Sequence, residues 1–379
     1  GGFDTVSIYL QNNPDSHFFA SKGLILGGSH SPSPLNRNAH CGDLSAVLLQ
    51  NLNPLVNLIR VPDKKIILMD EWESKIKAIV ESTWKADVNS LSGVPSWMLV
   101  LIKAVLQKAG CEYLTDVWPN MEVFFHGGIS FEPYRDQYKA LIPSDRMHYM
   151  ETYNASEGFF GLQDDPSEHS LLMMIDYGVF YEFIPINEVG SEHPTVLPLE
   201  AVEVGKNYAM VITTSGGLWR YQIGDTVRFT SLYPHKFVIS GRTKNYINAF
   251  GEELMVDNAD KAISSVCRLT GAKVKEYTAA PLFMLDKAKG RHQWMIEFEK
   301  MPPSLDDFAA LLDKTLQQLN SDYEAKRYKE ISLQPLEIRV AREGTFYEWL
   351  RRKGKLGGQH KIPRLSNDRT FIEELEEVL

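Results

Sequence analysis

The spacing of apolar and polar residues in the first third of the chain predicts strands that alternate with helices. Residues 22–28, KGLILGG, are a short apolar run that ends in glycines, which is typical of a buried strand. Residues 70–83 place apolar side chains on one side of a helix, and residues 96–110 predict a second helix that stops at Gly110. The pattern indicates an α/β arrangement.

Residues 121–128, MEVFFHGG, predict another buried strand, and this one runs directly into two glycines. Residues 132–142, EPYRDQYKALI, predict the helix that follows the turn. Turns of this kind lie at the carboxyl ends of strands, where α/β proteins bind ligands. Gly127 and Gly128 therefore mark a candidate binding position.

After residue 171 the pattern changes to successive strands joined by turns, which predicts an antiparallel region that closes the large domain. The strands are LLMMID, VFYEFIP, NYAMVITT, LWRYQIG, DTVRFTS and KFVISG. Beyond Gly241 the pattern predicts an α+β unit with helices over 257–269, 305–320 and 346–351 and strands over 276–283, 292–299 and 333–341. Because 379 residues exceed what one core usually serves, we expect a large domain, residues 1–242, and a small C-terminal domain, residues 243–379.

Composition and charge exclude several classes of protein. Hydrophobic residues at 44% and charged residues at 23% are typical of a globular chain, and no apolar run reaches the roughly 20 residues that span a bilayer. A net charge of −9 argues against a broad nucleic-acid surface, because such surfaces must neutralise phosphates. Cys41, Cys111 and Cys267 form no metal or disulfide pattern, and we expect a reducing cytoplasm.

Residues 150–166, METYNASEGFFGLQDDP, place one carboxylate, that of Glu157, between small residues and two phenylalanines. Burying a lone carboxylate costs desolvation free energy unless a charged partner meets it. The stretch by itself leaves two interpretations open. Glu157 is either an exposed loop acid or an acid that meets a metal ion or a ligand.

Four separated segments combine strand-like residues with glycines and a few polar groups. They are HGG at 126–128, YNASEG at 153–158, WRYQIGD at 219–225 and SGRTKNYINAFGEEL at 240–254. With GGQHKIPR at 357–364, they resemble the core motifs of adenylate-forming enzymes, the superfamily of acyl-CoA synthetases, peptide-synthetase adenylation domains and luciferases. YNASEG, YQIGDTVRF and GQHKIPR are closer to the auxin-responsive Gretchen Hagen family of acyl acid amido synthetases, in a bacterial-type form. The resemblance covers nearly the whole chain and implies the same large α/β domain and small α+β domain.

The resemblance implies that the ligands are ATP, its product AMP, and Mg²⁺. Glu157 would be the Mg²⁺ ligand near the α-phosphate, and Ser156 would donate its hydroxyl to that phosphate. Tyr153 would stack on adenine, and Asn154 would belong to the same nucleotide site. Without the neighbouring motif, Tyr153 is better explained as a core aromatic.

The later motifs imply further nucleotide contacts. Gly127 and Gly128 would let the backbone lie close to adenine, although a plain turn also explains two glycines. Asp225 would accept hydrogen bonds from both ribose hydroxyls, and its alternative is a turn aspartate. Arg242 would meet ribose or phosphate at the domain junction, where Lys244 occupies a hinge position at which the superfamily more commonly has Asp.

Lys361 resembles the catalytic lysine of the late motif, since a flexible ammonium can follow the reacting oxygens as bonds change. Its alternative is an ordinary surface lysine. The small domain would rotate between two half-reactions and present Lys361 for the first of them. His126 could line the acyl pocket together with His30, but each could equally be a structural histidine.

The implied activity joins a carboxylic acid to an amino acid or another amine. MgATP and the acid would give acyl-adenylate and pyrophosphate, and the amine would then displace AMP. The alternatives are an acid-CoA ligase and a nucleotide-binding protein that does not catalyse. The Ser/Thr/Gly-rich phosphate loop of the superfamily is expected upstream of Gly1, and finding it there would separate the enzymes from the non-catalytic protein.

Overall fold

The computed structural model describes residues 1–28, 30–32, 40–69, 71–243, 245–250, 252–283, 290–327, 333–356 and 362–378. The chain divides into two units, an N-terminal unit built mainly from residues 1–177 and a C-terminal unit built mainly from residue 178 onward. Both units mix helices with strands, which confirms the predicted α/β fold class. The domain boundary near residues 241–244 stays a prediction.

The N-terminal unit is organised around one sheet with the strand order β9-β8-β7-β6-β5-β1-β4, beside a separate pair, β2 and β3. Its strands are β1 (Lys22–Ile25), β2 (His30–Pro32), β3 (His40–Gly42), β4 (Arg60–Val61), β5 (Val88–Gly93), β6 (Val123–Gly127), β7 (His148–Ala155), β8 (Gly158–Leu162) and β9 (Leu171–Met173). Neighbours from β4 to β7 pair in parallel, whereas β7, β8 and β9 pair antiparallel. β7 is therefore the strand at which the pairing changes direction.

All but the first of the helices of this unit lie between parallel strands along the chain, as crossover helices do in α/β folds, and the first precedes β1. They are α1 (Gly2–Asn12), α2 (Leu44–Gln50), α3 (Lys64–Ile67), α4 (Trp72–Thr83), α5 (Pro95–Ala109), α6 (Leu114–Val117) and α7 (Arg135–Leu141). A 3₁₀ turn, Glu132–Tyr134, immediately precedes α7. The sequence predicted α4, α5 and α7 but not α1, α2, α3 or α6.

Helix α5 shows how the sequence sets these elements. Pro95 occupies the first turn, where its missing N–H costs no hydrogen bond, and Gly110 ends the helix in the left-handed region at φ +70°. Met98 and Ile102, one turn apart, are completely buried. The apolar spacing thus fixes the buried face of the helix, and the two terminal residues fix its length.

The C-terminal unit begins with antiparallel strands in the order β11-β10-β12-β13-β14. They are β10 (Val179–Pro185), β11 (Leu197–Pro198), β12 (Asn207–Thr214), β13 (Tyr221–Leu232) and β14 (His235–Arg242). The sequence predicted two strands where the structure has the single long strand β13. Gly224 takes φ +85° inside that strand, so the glycine bends the chain without ending the strand.

The remainder of this unit is the predicted α+β arrangement. Its elements are α8 (Val256–Thr270), β15 (Lys273–Phe283), β16 (Gly290–Lys300), α9 (Leu305–Leu319), α10 (Ser321–Arg327), β17 (Glu337–Ala341), α11 (Thr345–Arg352) and α12 (Thr370–Glu376). The strands form a sheet in the order β15-β16-β17, and Ile263, Trp294 and Phe308 belong to one core beside it. Only α10 and α12 were not predicted.

Charged side chains in this core are buried as pairs. His292 and Glu252 are fully buried and lie 2.7 Å apart, and Arg327 lies 2.8 Å from Asp313. Each of these buried groups thus has a polar partner, which offsets the cost of removing it from water. Across the described ranges of both units, no helix combines the length and the apolar character needed to cross a bilayer.

Candidate functional site

The YNASEG motif forms a β-hairpin. Strand β7 ends at Ala155, Ser156 and Glu157 form the turn, and β8 begins at Gly158, which pairs with Ala155. Ser156 is exposed and Glu157 is half-buried. The turn therefore presents a hydroxyl and a carboxylate side by side at the end of a strand.

Tyr153 and Asn154 precede this turn on β7, and their side chains differ in burial. Tyr153 is only 5% exposed, and its ring packs against that of Phe160 with centroids 5.1 Å apart. Asn154 is exposed. Tyr153 thus has the contacts of a core aromatic, and its stacking on adenine stays a prediction.

The two glycines that end β6 have different structural requirements. A Cβ at Gly127 would lie 2.4 Å from the carbonyl oxygen of Thr152, its partner on β7, so a side chain there would collide with the neighbouring backbone. Gly128 takes φ +83°, which favours glycine. Sheet packing therefore accounts for Gly127, and this places the Gly-Gly turn beside the strand that carries Tyr153.

An aromatic cluster lies on the face of the sheet next to these glycines. Phe131 is fully buried and stacks on His126 at 4.3 Å, and it also contacts the ring of Tyr149 at 4.9 Å. The guanidinium of Arg135 lies over the ring of Phe131, 4.9 Å from its centroid. Tyr138 completes the cluster and donates its hydroxyl to the carbonyl of Pro95 at 2.7 Å.

Two buried polar atoms in this cluster, Nδ1 of His126 and the hydroxyl oxygen of Tyr149, have no hydrogen-bond partner within the described part of the chain. Burial, reinforced by the charge of Arg135, lowers the pKa of His126 to about 3. Burial also raises the pKa of Tyr149 above its ordinary range. Both side chains are consequently neutral near pH 7.

Lys75 is a buried cation that the sequence interpretation missed. Its side chain is 2% exposed, and Nζ donates hydrogen bonds to the carbonyls of Gly27 and Gly28 at 2.7 and 3.0 Å, just beyond the end of β1. Burial lowers the pKa of Lys75 to about 8. The available signal was its helical spacing from Trp72 and Ile79, which puts it on the buried side of α4.

Asp225 and Arg242 lie opposite each other on β13 and β14. Nε of Arg242 is 3.0 Å from Oδ1 of Asp225, and the side chains are 55% and 17% exposed, respectively. A second nitrogen of Arg242 donates to the carbonyl of Ile223 at 3.4 Å. The structure therefore pairs Asp225, which the sequence motif assigned to the ribose, with Arg242, which it assigned to ribose or phosphate.

Glu157 is the residue that decides whether this site could ligate Mg²⁺. In the parts of the chain that the structure describes, no group of three or more His, Cys, Asp or Glu side chains could hold a metal ion. A single half-exposed carboxylate nevertheless suits Mg²⁺, which keeps several waters and takes its other ligands from substrate phosphates. Lys244, Lys361 and residues 357–360 lie outside the described residues.

Sequence comparison links most of the chain to one family. Sequence models of the GH3 family N-terminal domain, central domain and C-terminal domain match residues 2–147, 172–242 and 257–370. The indole-3-acetic acid-amido synthetase GH3.3 of Arabidopsis thaliana is 30% identical over an alignment of 287 positions, which covers 69% of this chain and 46% of that protein. The chain thus spans about half the length of this curated relative.

Solved structures share the fold. The GH3.15 acyl acid amido synthetase superposes with a TM-score of 0.78 at 18% identity, over 98% of this chain and 75% of the other. A 2-hydroxyisobutyryl-CoA ligase in its postadenylation state gives a TM-score of 0.61 at 13% identity, over 95% and 69%. At these identities the likeness concerns the fold alone, which this chain shares with an acyl acid amido synthetase and a CoA ligase.

Proposed function

The chain belongs to the GH3 family, the Gretchen Hagen family whose motifs it resembles, and from this premise we propose that it is part of an ATP-dependent acid–amino acid ligase. The first half-reaction joins a carboxylic acid to AMP and releases pyrophosphate. In the second, an amine attacks the acyl-adenylate and AMP leaves. The ordered match of all three family domains along the chain is the observation that carries this proposal.

The hairpin turn has the chemistry that the first half-reaction needs. Two anions, a carboxylate and a triphosphate, must approach each other, and Mg²⁺ bound with ATP neutralises part of that charge. Glu157 would hold the ion through its carboxylate, and Ser156 would donate its hydroxyl to the α-phosphate. Tyr153 and the Gly127–Gly128 turn would bound the adenine, with Asn154 exposed beside them.

Asp225 would bind the ribose. A carboxylate can accept a hydrogen bond from each of two neighbouring hydroxyls, and its ion pair with Arg242 holds the group in one orientation before the nucleotide arrives. Arg242 would also contact ribose or phosphate. Lys361 would stabilise the charge that develops as the acyl carboxylate attacks phosphorus.

We propose small molecules, a carboxylic acid and an amino acid or other amine, as the partners, and the cytoplasm as the location. The absence of any cysteine pattern in the sequence supports a reducing compartment.

The test is pyrophosphate release by the full-length protein with MgATP and a panel of carboxylic acids. Each acid is assayed alone, with each amino acid and with coenzyme A. Acid-dependent pyrophosphate release followed by amide formation supports the proposal, and a thioester product would instead identify an acid-CoA ligase. No pyrophosphate with any acid, despite measurable AMP binding, would identify a non-catalytic nucleotide-binding protein.

A further inference from the structure

Two polar atoms of the aromatic cluster around Phe131 have no hydrogen-bond partner among the residues that the structure describes. They are Nδ1 of His126, whose side chain is only 3% exposed, and the buried hydroxyl oxygen of the half-buried Tyr149. Native proteins pair nearly all such atoms, because an unpaired buried group loses its hydrogen bonds to water. Two unpaired polar atoms next to the Phe131 ring indicate a site at which a polar group of a ligand could supply the missing hydrogen bonds.

The chemistry around that place favours an anion. The Tyr149 hydroxyl is a donor, and the neutral ring of His126 offers another when its proton is on Nδ1. Arg135 adds a positive charge that is close enough to influence both side chains electrostatically. It lies 2.9 Å from Glu132 and contacts Nδ1 of His169 at 3.3 Å, so it is held in position. Two neutral donors beside a guanidinium match a carboxylate.

Phe131 covers these groups in the present structure. It follows the β6 strand by four residues, and the intervening segment starts at Gly128, whose left-handed conformation marks a sharp change in chain direction. A benzyl side chain is considerably larger than a carboxylate. Withdrawal of Phe131 would therefore uncover the faces of the His126 and Tyr149 rings and free a volume larger than a carboxylate beside their polar edges.

We propose that His126, Tyr149 and Arg135 form a second carboxylate subsite, which opens when Phe131 moves off the two rings and binds a carboxylate that does not react. The inference rests on the proposed function, in which only the acyl carboxylate is activated. The second carboxylate has two possible sources, the α-carboxylate of the amino-acid acceptor and the far carboxylate of a dicarboxylic acyl acid.

The decisive variant is Tyr149→Phe in the full-length protein, because it removes one oxygen and keeps the ring. The matched control is Tyr138→Phe in the same cluster, whose hydroxyl already has the Pro95 carbonyl as its acceptor. If Tyr149 and Tyr138 had only structural roles, the two substitutions would affect the unfolding temperature differently. Removing the unsatisfied oxygen of Tyr149 should leave the unfolding temperature unchanged or raised, whereas Tyr138→Phe should lower it.

The preference for a carboxylate over a carboxamide is a ratio of two rates for the same variant, so a change in protein stability does not alter it. One arm compares kcat/KM for an amino acid with that for its α-carboxamide, and the other compares dicarboxylic acids with their half-amides in pyrophosphate release. Tyr149→Phe should reduce the carboxylate preference at least about tenfold in one arm, which identifies the source. Tyr138→Phe should leave both preferences at their wild-type values.

A binding measurement separates this inference from the proposed function. Glutarate should raise the unfolding temperature of the wild-type protein more than glutaramide does, and Tyr149→Phe should abolish the difference whether or not turnover occurs. Equal responses of wild type and Tyr149→Phe to glutarate, together with unchanged preferences in both arms, would overturn the subsite. Failure of pyrophosphate release alone would contradict only the proposed function.

Discussion

The two carboxylates assigned to nucleotide chemistry are held in opposite ways. Glu157 lies in a two-residue turn and makes no hydrogen bond or ion pair with any residue that the structure describes. Asp225 lies within β13 and faces Arg242 at 3.0 Å. Asp225 therefore has its orientation before a ligand binds, whereas Glu157 would gain a charged partner only with the ligand. Because Glu157 contributes little to the stability of the fold, we expect its substitution to affect catalysis alone.

The largest effect is expected from the cation assigned to the same chemical step as Glu157. Lys361→Ala should slow pyrophosphate release by about 10²- to 10³-fold, the loss typical when one transition-state donor is removed. Amide formation from a chemically prepared acyl-adenylate should continue near the wild-type rate. Comparable losses in the two assays would instead make Lys361 a structural or general binding residue, and an unchanged pyrophosphate rate would return it to the surface-lysine interpretation.

Glu157→Gln tests whether the turn acid acts in chemistry alone. The substitution removes charge and keeps shape, so adenylation should slow by roughly 10- to 100-fold, as when a group that supports a bound metal is lost. The unfolding temperature should not change, because Glu157 has no partner among the described residues. Normal turnover at low Mg²⁺ would contradict its role as the metal ligand.

Asp225→Ala should weaken AMP and ATP about equally, because both nucleotides carry the same ribose. We expect an increase in Kd of about tenfold for each by calorimetry, which is the loss of about 1.4 kcal/mol. Unlike the Glu157 variant, this one should also be slightly less stable, since Arg242 loses its partner. A loss confined to ATP would move Asp225 from the ribose to the phosphates.

Arg242→Lys should have the smallest effect. The charge is retained, but the forked guanidinium that reaches both Asp225 and the Ile223 carbonyl is lost. The pair is partly exposed, so the unfolding free energy should fall by less than about 1 kcal/mol. AMP affinity should fall only a few-fold, because the retained ammonium can still contact ribose or phosphate, and a loss as large as that of Asp225→Ala would show that nucleotide binding requires the guanidinium itself.

Much of the fold was predictable because the periodicity of the chain is strong. The buried strand β6 and the helices α4 and α5 follow directly from apolar spacing and from terminal residues such as Gly110. β13 was divided in two because a Gly-Asp pair usually marks a turn, and the sequence does not reveal that neighbouring strands on both sides hold it extended. Tertiary pairing overrode the local signal there.

The roles assigned to the candidate site residues stay predictions, and the sequence did not reveal the contacts that surround these residues. Asp225 and Arg242 were identified by motif, yet their pairing depends on the register of β13 and β14, which single residues do not encode. Lys75 was missed because a lysine is assigned to the surface by default. Gly127 was assigned to a ligand, although the carbonyl of Thr152 alone requires a glycine there.

The short turn between β7 and β8 limits which insertions and deletions this protein can tolerate. Tyr153 faces inward and Asn154 outward, and only Ser156 and Glu157 separate the paired strands. Inserting or deleting one residue in either strand would shift the pairing and exchange the inner and outer faces. Substitutions at the turn can thus alter ligand chemistry, while changes in its length would be removed by selection. Chains that share the proposed chemistry should therefore keep both these two residue types and their spacing.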